Sequence, residues 1–126
     1  MADNVALFND FHVFKRRAIL ATVIALNKSG VKPSEMQSTV SWYKKAFCVL
    51  EGILSSNEVN KELTRRHQVD GPAFRLGNWF TDEEELMHLD DRTLLVSKQW
   101  GKRTERALIE LTEAFPASGV TFTRSQ

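Results

Sequence analysis

The sequence predicts an α+β fold: an N-terminal helical half of two to three helices, followed by a small three-stranded sheet with one crossover helix. Three observations carry that prediction. First, Arg92-Thr93-Leu94-Leu95-Val96-Ser97-Lys98-Gln99-Trp100 alternates with a period of two, is rich in β-formers and lacks proline, the pattern of a strand. Leu95 adds apolar character to its second face, so this strand is expected at the centre of the sheet, covered on both sides. Second, before residue 55 the apolar residues recur at steps of three and four, the spacing of helix faces. Third, the helical signals come in a run and the strand signals come after them, which favours α+β over an alternating architecture.

The first helix is expected from Asn4 to about Leu26, with Leu7, Phe11, Phe14, Ala18, Thr22 and Ala25 on one face. Asn27-Lys28-Ser29-Gly30 supplies its stop, with glycine at the C′ position. A second helix starts after Pro33, where Ser34-Glu35-Met36-Gln37 fits a capping box. Val40, Tyr43, Phe47, Leu50 and Leu54 continue its stripe at three, four, three and four, with Ala46 and Ile53 beside it. Ser55-Ser56-Asn57-Glu58 offers another capping box, opening a polar third helix to about His67 that buries only Val59 and Leu63.

Asp-Gly and Gly-Pro at Asp70-Gly71-Pro72 mark a loop. Ala73 to Phe80 reads as a strand weakened at Gly77. Thr81-Asp82-Glu83-Glu84 reads as the start of a short helix to His88, its acids suited to the positive end of a helix dipole. Asp90-Asp91 leads into the central strand. Thr104 to Phe115 is the last helix, with Leu108, Leu111 and Phe115 on one face and Pro116 ending it. Gly119-Val120-Thr121-Phe122-Thr123 reads as a final strand, which a crossover through 104–115 could set parallel to the central one.

The 126 residues suit one domain spanning 1–126, and 42% apolar with 26% charged residues is the balance of a globular protein. No apolar run reaches the ~20 residues of a membrane span, so no membrane is expected. Cys48 is the single cysteine, which excludes a disulfide within the chain and a multi-cysteine zinc site. With no secretory signal visible, a cytoplasmic location is expected. The formal net charge of +1 decides nothing about nucleic acid, although residues 1–68 carry ten Lys/Arg against six Asp/Glu and residues 69–126 seven against ten.

Chemistry-bearing constellations are missing. His12, His67 and His88 fall in three separate elements without the paired spacing of a helical zinc site, so no metal and no cofactor are expected. Cys48, between Phe47 and Val49, reads as a small buried hydrophobe. The run Asp82-Glu83-Glu84-Glu85 reads as helix-start acids.

The first functional reading is therefore a small non-enzymatic interaction protein (an adaptor, regulator or assembly component) acting through a protein interface, with a homodimer as one form it could take. Trp42, Trp79 and Trp100 are its interface residues; Trp79 and Trp100, at strand ends, could form an exposed platform. The second reading is a small DNA-binding regulator. Residues 29–45 resemble a helix-turn-helix segment in outline: a glycine-containing turn, then a helix presenting Gln37, Ser38 and Ser41 to bases, with Lys44, Lys45, Arg65 and Arg66 on phosphates. The third is an enzyme with a carboxylate site near Asp90, Asp91 and Lys98, and no catalytic residue is assigned beyond that neighbourhood.

Overall fold

Residues 12–122 are described by the structure, a computed structural model of the chain, with side chains from Arg17 onward. The fold is α+β: four helices, α1 (His12–Lys28), α2 (Pro33–Thr39), α3 (Ser56–Asp70) and α4 (Thr104–Ala114), and three strands, β1 (Phe47–Glu51), β2 (Met87–Leu89) and β3 (Arg92–Val96). The described residues fall into two compact units. One holds the residues up to Lys44 together with those from Trp100 onward; the other is Lys45–Gln99.

The first unit is helical, with α1 and α2 both packing on α4. Ala18, Ile19, Thr22, Val23 and Leu26 of α1 are buried, as their spacing predicts; the expected residues 4–11 of this helix lie outside the described ones. Its end is a Schellman motif, in which the Val31 amide bonds the Leu26 carbonyl and the Gly30 amide bonds Asn27, with Gly30 at φ 108°. The α2 start lies two residues earlier than the predicted box: Pro33 takes the first helical position, and Glu35 accepts the Lys32 amide at 2.8 Å. On α4, Thr104, Ala107, Leu108 and Leu111 form the buried face.

The second unit is a sheet covered by α3. Strand order is β1-β3-β2 and both pairings are antiparallel, Val49 opposite Leu94 and Met87 opposite the same Leu94. The strand expected at the centre is at the centre, and Thr93, Leu94, Leu95 and Val96 are all buried, so both its faces are covered. Val59 and Leu63, the one buried stripe of α3, pack with Cys48, Leu50, Trp79 and Leu95. Each aliphatic side chain so buried contributes roughly 1.5–3 kcal/mol. The cap of α3 forms as read, with the Ser55 hydroxyl accepting the Glu58 amide and Glu58 accepting the Ser55 amide.

Four expected elements differ. The helix after Pro33 ends at Thr39, and residues 47–51 of its presumed stripe form β1 instead. A run of Phe, Cys, Val and Leu satisfies helical spacing and strand pairing equally, and the open edge of β3 decides for the strand. The strand over 73–80 is two 3₁₀ turns, Pro72–Phe74 and Leu76–Asn78, with only Trp79 bridging to Ser97; Pro72 and Gly77 explain the turns. The short helix to His88 is a single 3₁₀ turn, Glu83–Glu85, followed by β2. Val120 is buried and Thr121 is a single bridge residue, but the three-stranded sheet holds no strand from 119–122, and Thr123 lies outside the described residues. The helix that links strands of the sheet is α3, between β1 and the β2–β3 hairpin, whereas α4 follows β3.

Candidate functional site

Among the described residues of the first unit, charged and aromatic side chains cluster where the turn after α2 meets the start of α4. Tyr43 is set by two bonds: its amide donates to the Val40 carbonyl at 2.9 Å, and its carbonyl accepts from the Gln37 side-chain amide at 2.9 Å. Trp100 opens a 3₁₀ turn, Gly101–Arg103, in which Gly101 takes φ 58° and the Thr104 hydroxyl donates to the Gly101 carbonyl. Arg106 and Glu110 then follow four apart on one face of α4, and Arg103 stands at its N-cap, three residues before Arg106.

These pieces interlock. The Trp42 indole N–H donates to Glu110 Oε1 at 2.6 Å, and Arg106 Nε donates to Glu110 Oε2 at 3.0 Å. Both donors hold the Glu110 carboxyl below its ordinary range, the indole bond most of all, against the opposing effect of partial burial. The Arg106 guanidinium lies 4.2 Å from the Trp42 ring centroid; that of Arg103 lies 5.4 Å from Trp42 and 4.9 Å from Tyr43. Behind them, fully buried Trp100 meets Tyr43 edge-on at 4.7 Å and Trp42 at 6.5 Å. Trp42 and Tyr43 are half-buried, while Lys44, Lys102, Arg103 and Arg106 are exposed. Glu110 answers one of these positive charges, and Arg103 makes no ion pair among the described residues.

The expected site residues are distributed differently. Trp79 and Trp100 do not form an exposed platform: Trp79 is 5% exposed, with its indole N–H donating to the Ala73 carbonyl, and Trp100 has no exposed surface. Trp42 alone of the three reaches the surface. Gln37 is occupied by Tyr43, Ser38 is exposed on α2, and Ser41, Lys44 and Lys45 follow α2 in an exposed turn, so the seven-residue α2 is no extended reading helix. Arg65 and Arg66 both bond Glu62, at 2.6 and 2.9 Å, and Arg66 also lies over Phe74. Their positive charge is partly answered on their own helix.

The acids have structural duties. Asp90 and Asp91 both take positive φ, 53° and 61°, as the two corner residues of the β2–β3 hairpin, a primed turn. Lys98 stands beyond the opposite end of β3, about 20 Å away at ~3.3 Å per strand residue, and lies over Phe80; these three residues do not meet. Asp82, Glu84 and Glu85 bring carboxylate oxygens within 4.8 Å of one another. Glu85 accepts the Asp82 amide there, and neighbouring Glu83 accepts the Ser56 amide at the start of α3. His88 Nε2 meets the Leu54 carbonyl at 2.9 Å, and Cys48 is buried against α3, its thiol pushed up by burial.

Sequence reasoning singled out Trp42 but missed Arg103, Arg106 and Glu110. Their three-and-four spacing at the last predicted helix was the available signal; the pairing of Glu110 with Trp42, 68 positions earlier, was not. No helix among the described residues is long and apolar enough to cross a membrane. Neither a protein-family model, nor a curated protein, nor a solved structure matches the chain.

Proposed function

We propose that this is a small non-enzymatic interaction protein whose protein-binding surface is centred on Trp42, Tyr43 and Arg103. The observation that carries the reading is the half-buried Trp42, fixed by its 2.6 Å bond to Glu110 and flanked by two guanidinium groups. Trp, Tyr and Arg are the residues that most often dominate binding energy at protein interfaces. A ring already held in place loses little side-chain entropy when a partner covers it, which raises affinity without new contacts. A cytoplasmic adaptor or assembly component fits such a surface, and its partner is another protein or a second copy of this chain.

A photoreactive residue at position 102 in cells tests this, with the same residue at position 61, on the solvated side of α3, as control. A discrete polypeptide adduct from position 102 and none from 61 is expected; an adduct of doubled mass would make the partner a second copy. Equal labelling from both positions, or none from 102, refutes the reading.

The second reading is nucleic-acid binding, favoured by exposed Lys44, Lys102, Arg103 and Arg106 around two aromatic rings. It requires affinity for DNA or RNA that falls steeply with salt. No binding of mixed duplex and single-stranded oligonucleotides at low salt eliminates it.

A further inference from the structure

We infer that the partner presented to this surface is an acidic peptide segment, with a carboxylate seated on Arg103 beside an apolar side chain against Trp42. The inference rests on the interface reading above and adds the chemistry of the partner.

Arg103 and Arg106 both stand within 5.4 Å of the centroid of one ring, so two like charges share a small space. Arg106 is compensated by Glu110 at 3.0 Å. Arg103 has no carboxylate among the described residues, and Lys102 and Lys44 add further exposed positive charge beside it and Tyr43. The guanidinium lies 4.9 Å from the Tyr43 ring centroid and is exposed, and a carboxylate's two oxygens match its fork of N–H donors. An anionic side chain is the partner whose charge complements this arrangement.

A peptide fits better than a nucleic acid. Helix α4 carries Glu105, Glu110 and Glu113 around its single arginine, Arg106, so a polyanion crossing it would meet carboxylates as well as cations. Each strand of a DNA duplex carries a phosphate about every 3.4 Å of helix axis and cannot skip those positions. A peptide can place one or two carboxylates where Lys102 and Arg103 stand and apolar residues elsewhere.

The test is titration of the isotope-labelled full chain with a short Asp/Glu-rich peptide bearing one central aromatic residue, and with its Asn/Gln counterpart. Saturable movement of the Trp42 indole and Arg103 Nε–H signals is expected with the acidic peptide only. Arg103→Gln should weaken binding about tenfold, and Arg103→Lys, which keeps charge but not the fork, should fall between. Raising salt from about 0.05 to about 0.3 M should weaken it further. Equal binding of the neutral peptide, unchanged affinity in Arg103→Gln, preference for an oligonucleotide, or no binding would each overturn the inference. Position-specific crosslinking from 102 without acidic-peptide binding would overturn the acidic chemistry and leave the interface reading intact. Acidic-peptide binding without crosslinking would overturn that reading instead.

Discussion

Replacing Thr93 by valine should cost about 2 kcal/mol, at nearly constant volume and with β-propensity retained. Thr93 sits fully buried on β3, and its hydroxyl joins two parts of the turn that leads from β1 to α3. It donates to the Gly52 carbonyl at 2.8 Å and accepts the Leu54 amide at 2.8 Å. Valine removes both bonds and leaves a donor and an acceptor without their partner. At ~1 kcal/mol for each ordinary hydrogen bond the loss is about 2 kcal/mol, more where water cannot reach the orphaned groups. Thr93→Ser keeps both bonds and loses one methyl, worth roughly 1 kcal/mol in a core. Valine is therefore expected to be the more damaging change, although it is the more apolar. Urea unfolding of the two variants gives the ranking, and hydrogen exchange at the Leu54 amide gives the local reading, which should accelerate only with valine. If Thr93→Val is as stable as the wild type, or costs less than Thr93→Ser, the hydroxyl is not what holds this turn.

Glu62 is held down to about 2 by hydrogen bonds from Arg65 and then Arg66. Its contribution to stability should be complete above its ordinary value of 4.5 and fade as pH falls from there toward 2, which a carboxyl carbon NMR titration of wild type and Glu62→Gln follows. Asp90→Asn with Asp91→Gly should raise stability by up to ~1 kcal/mol, because Asn-Gly suits two positive-φ corners better than Asp-Asp; an unchanged or lowered urea midpoint would contradict that turn geometry. The Cys48 thiol, pushed up chiefly by burial and only partly offset by Arg66, should react with a disulfide reagent at the rate of global unfolding and at full speed in urea. Rapid labelling of the native protein would show that α3 does not cover it.

The elements legible in the sequence were those whose local signals agreed with their surroundings. β3 alternates and carries apolar residues on both faces, α3 has a complete capping box, and Gly30 stands where a Schellman turn needs positive φ. β1 was illegible because Val40, Tyr43, Phe47, Leu50 and Leu54 keep helical spacing across it. What makes it a strand is β3, more than 40 positions later, and no local pattern reports that. The site was half legible for the same reason. Trp42 stood out as an interface residue, and Lys44 and Lys45 as charge offered to a partner. The indole's partner Glu110 and the arginines stacked on it lie on a distant helix, and chain folding alone brings them there. Asp90 and Asp91 drew notice as acids, and the structure sets both at positive φ in a hairpin turn, a region that aspartate tolerates.

The strand order β1-β3-β2 also fixes a sequence of events. β1 is made early, yet its only partner in the sheet begins at Arg92, so the segment Phe47-Cys48-Val49-Leu50 must wait through some 40 residues of synthesis for its hydrogen bonds. Closing that loop costs entropy before any pairing rewards it, which makes sheet formation the late and slow event in this unit. The hairpin of β2 and β3, turned at Asp90-Asp91, can form from neighbouring residues and then offer its open edge. During that interval the chain carries an unpaired apolar segment with a strong tendency to pair with any strand it meets. A nascent chain halted before residue 92 would hold that segment without β3 to receive it, and is expected to aggregate more readily than the finished chain.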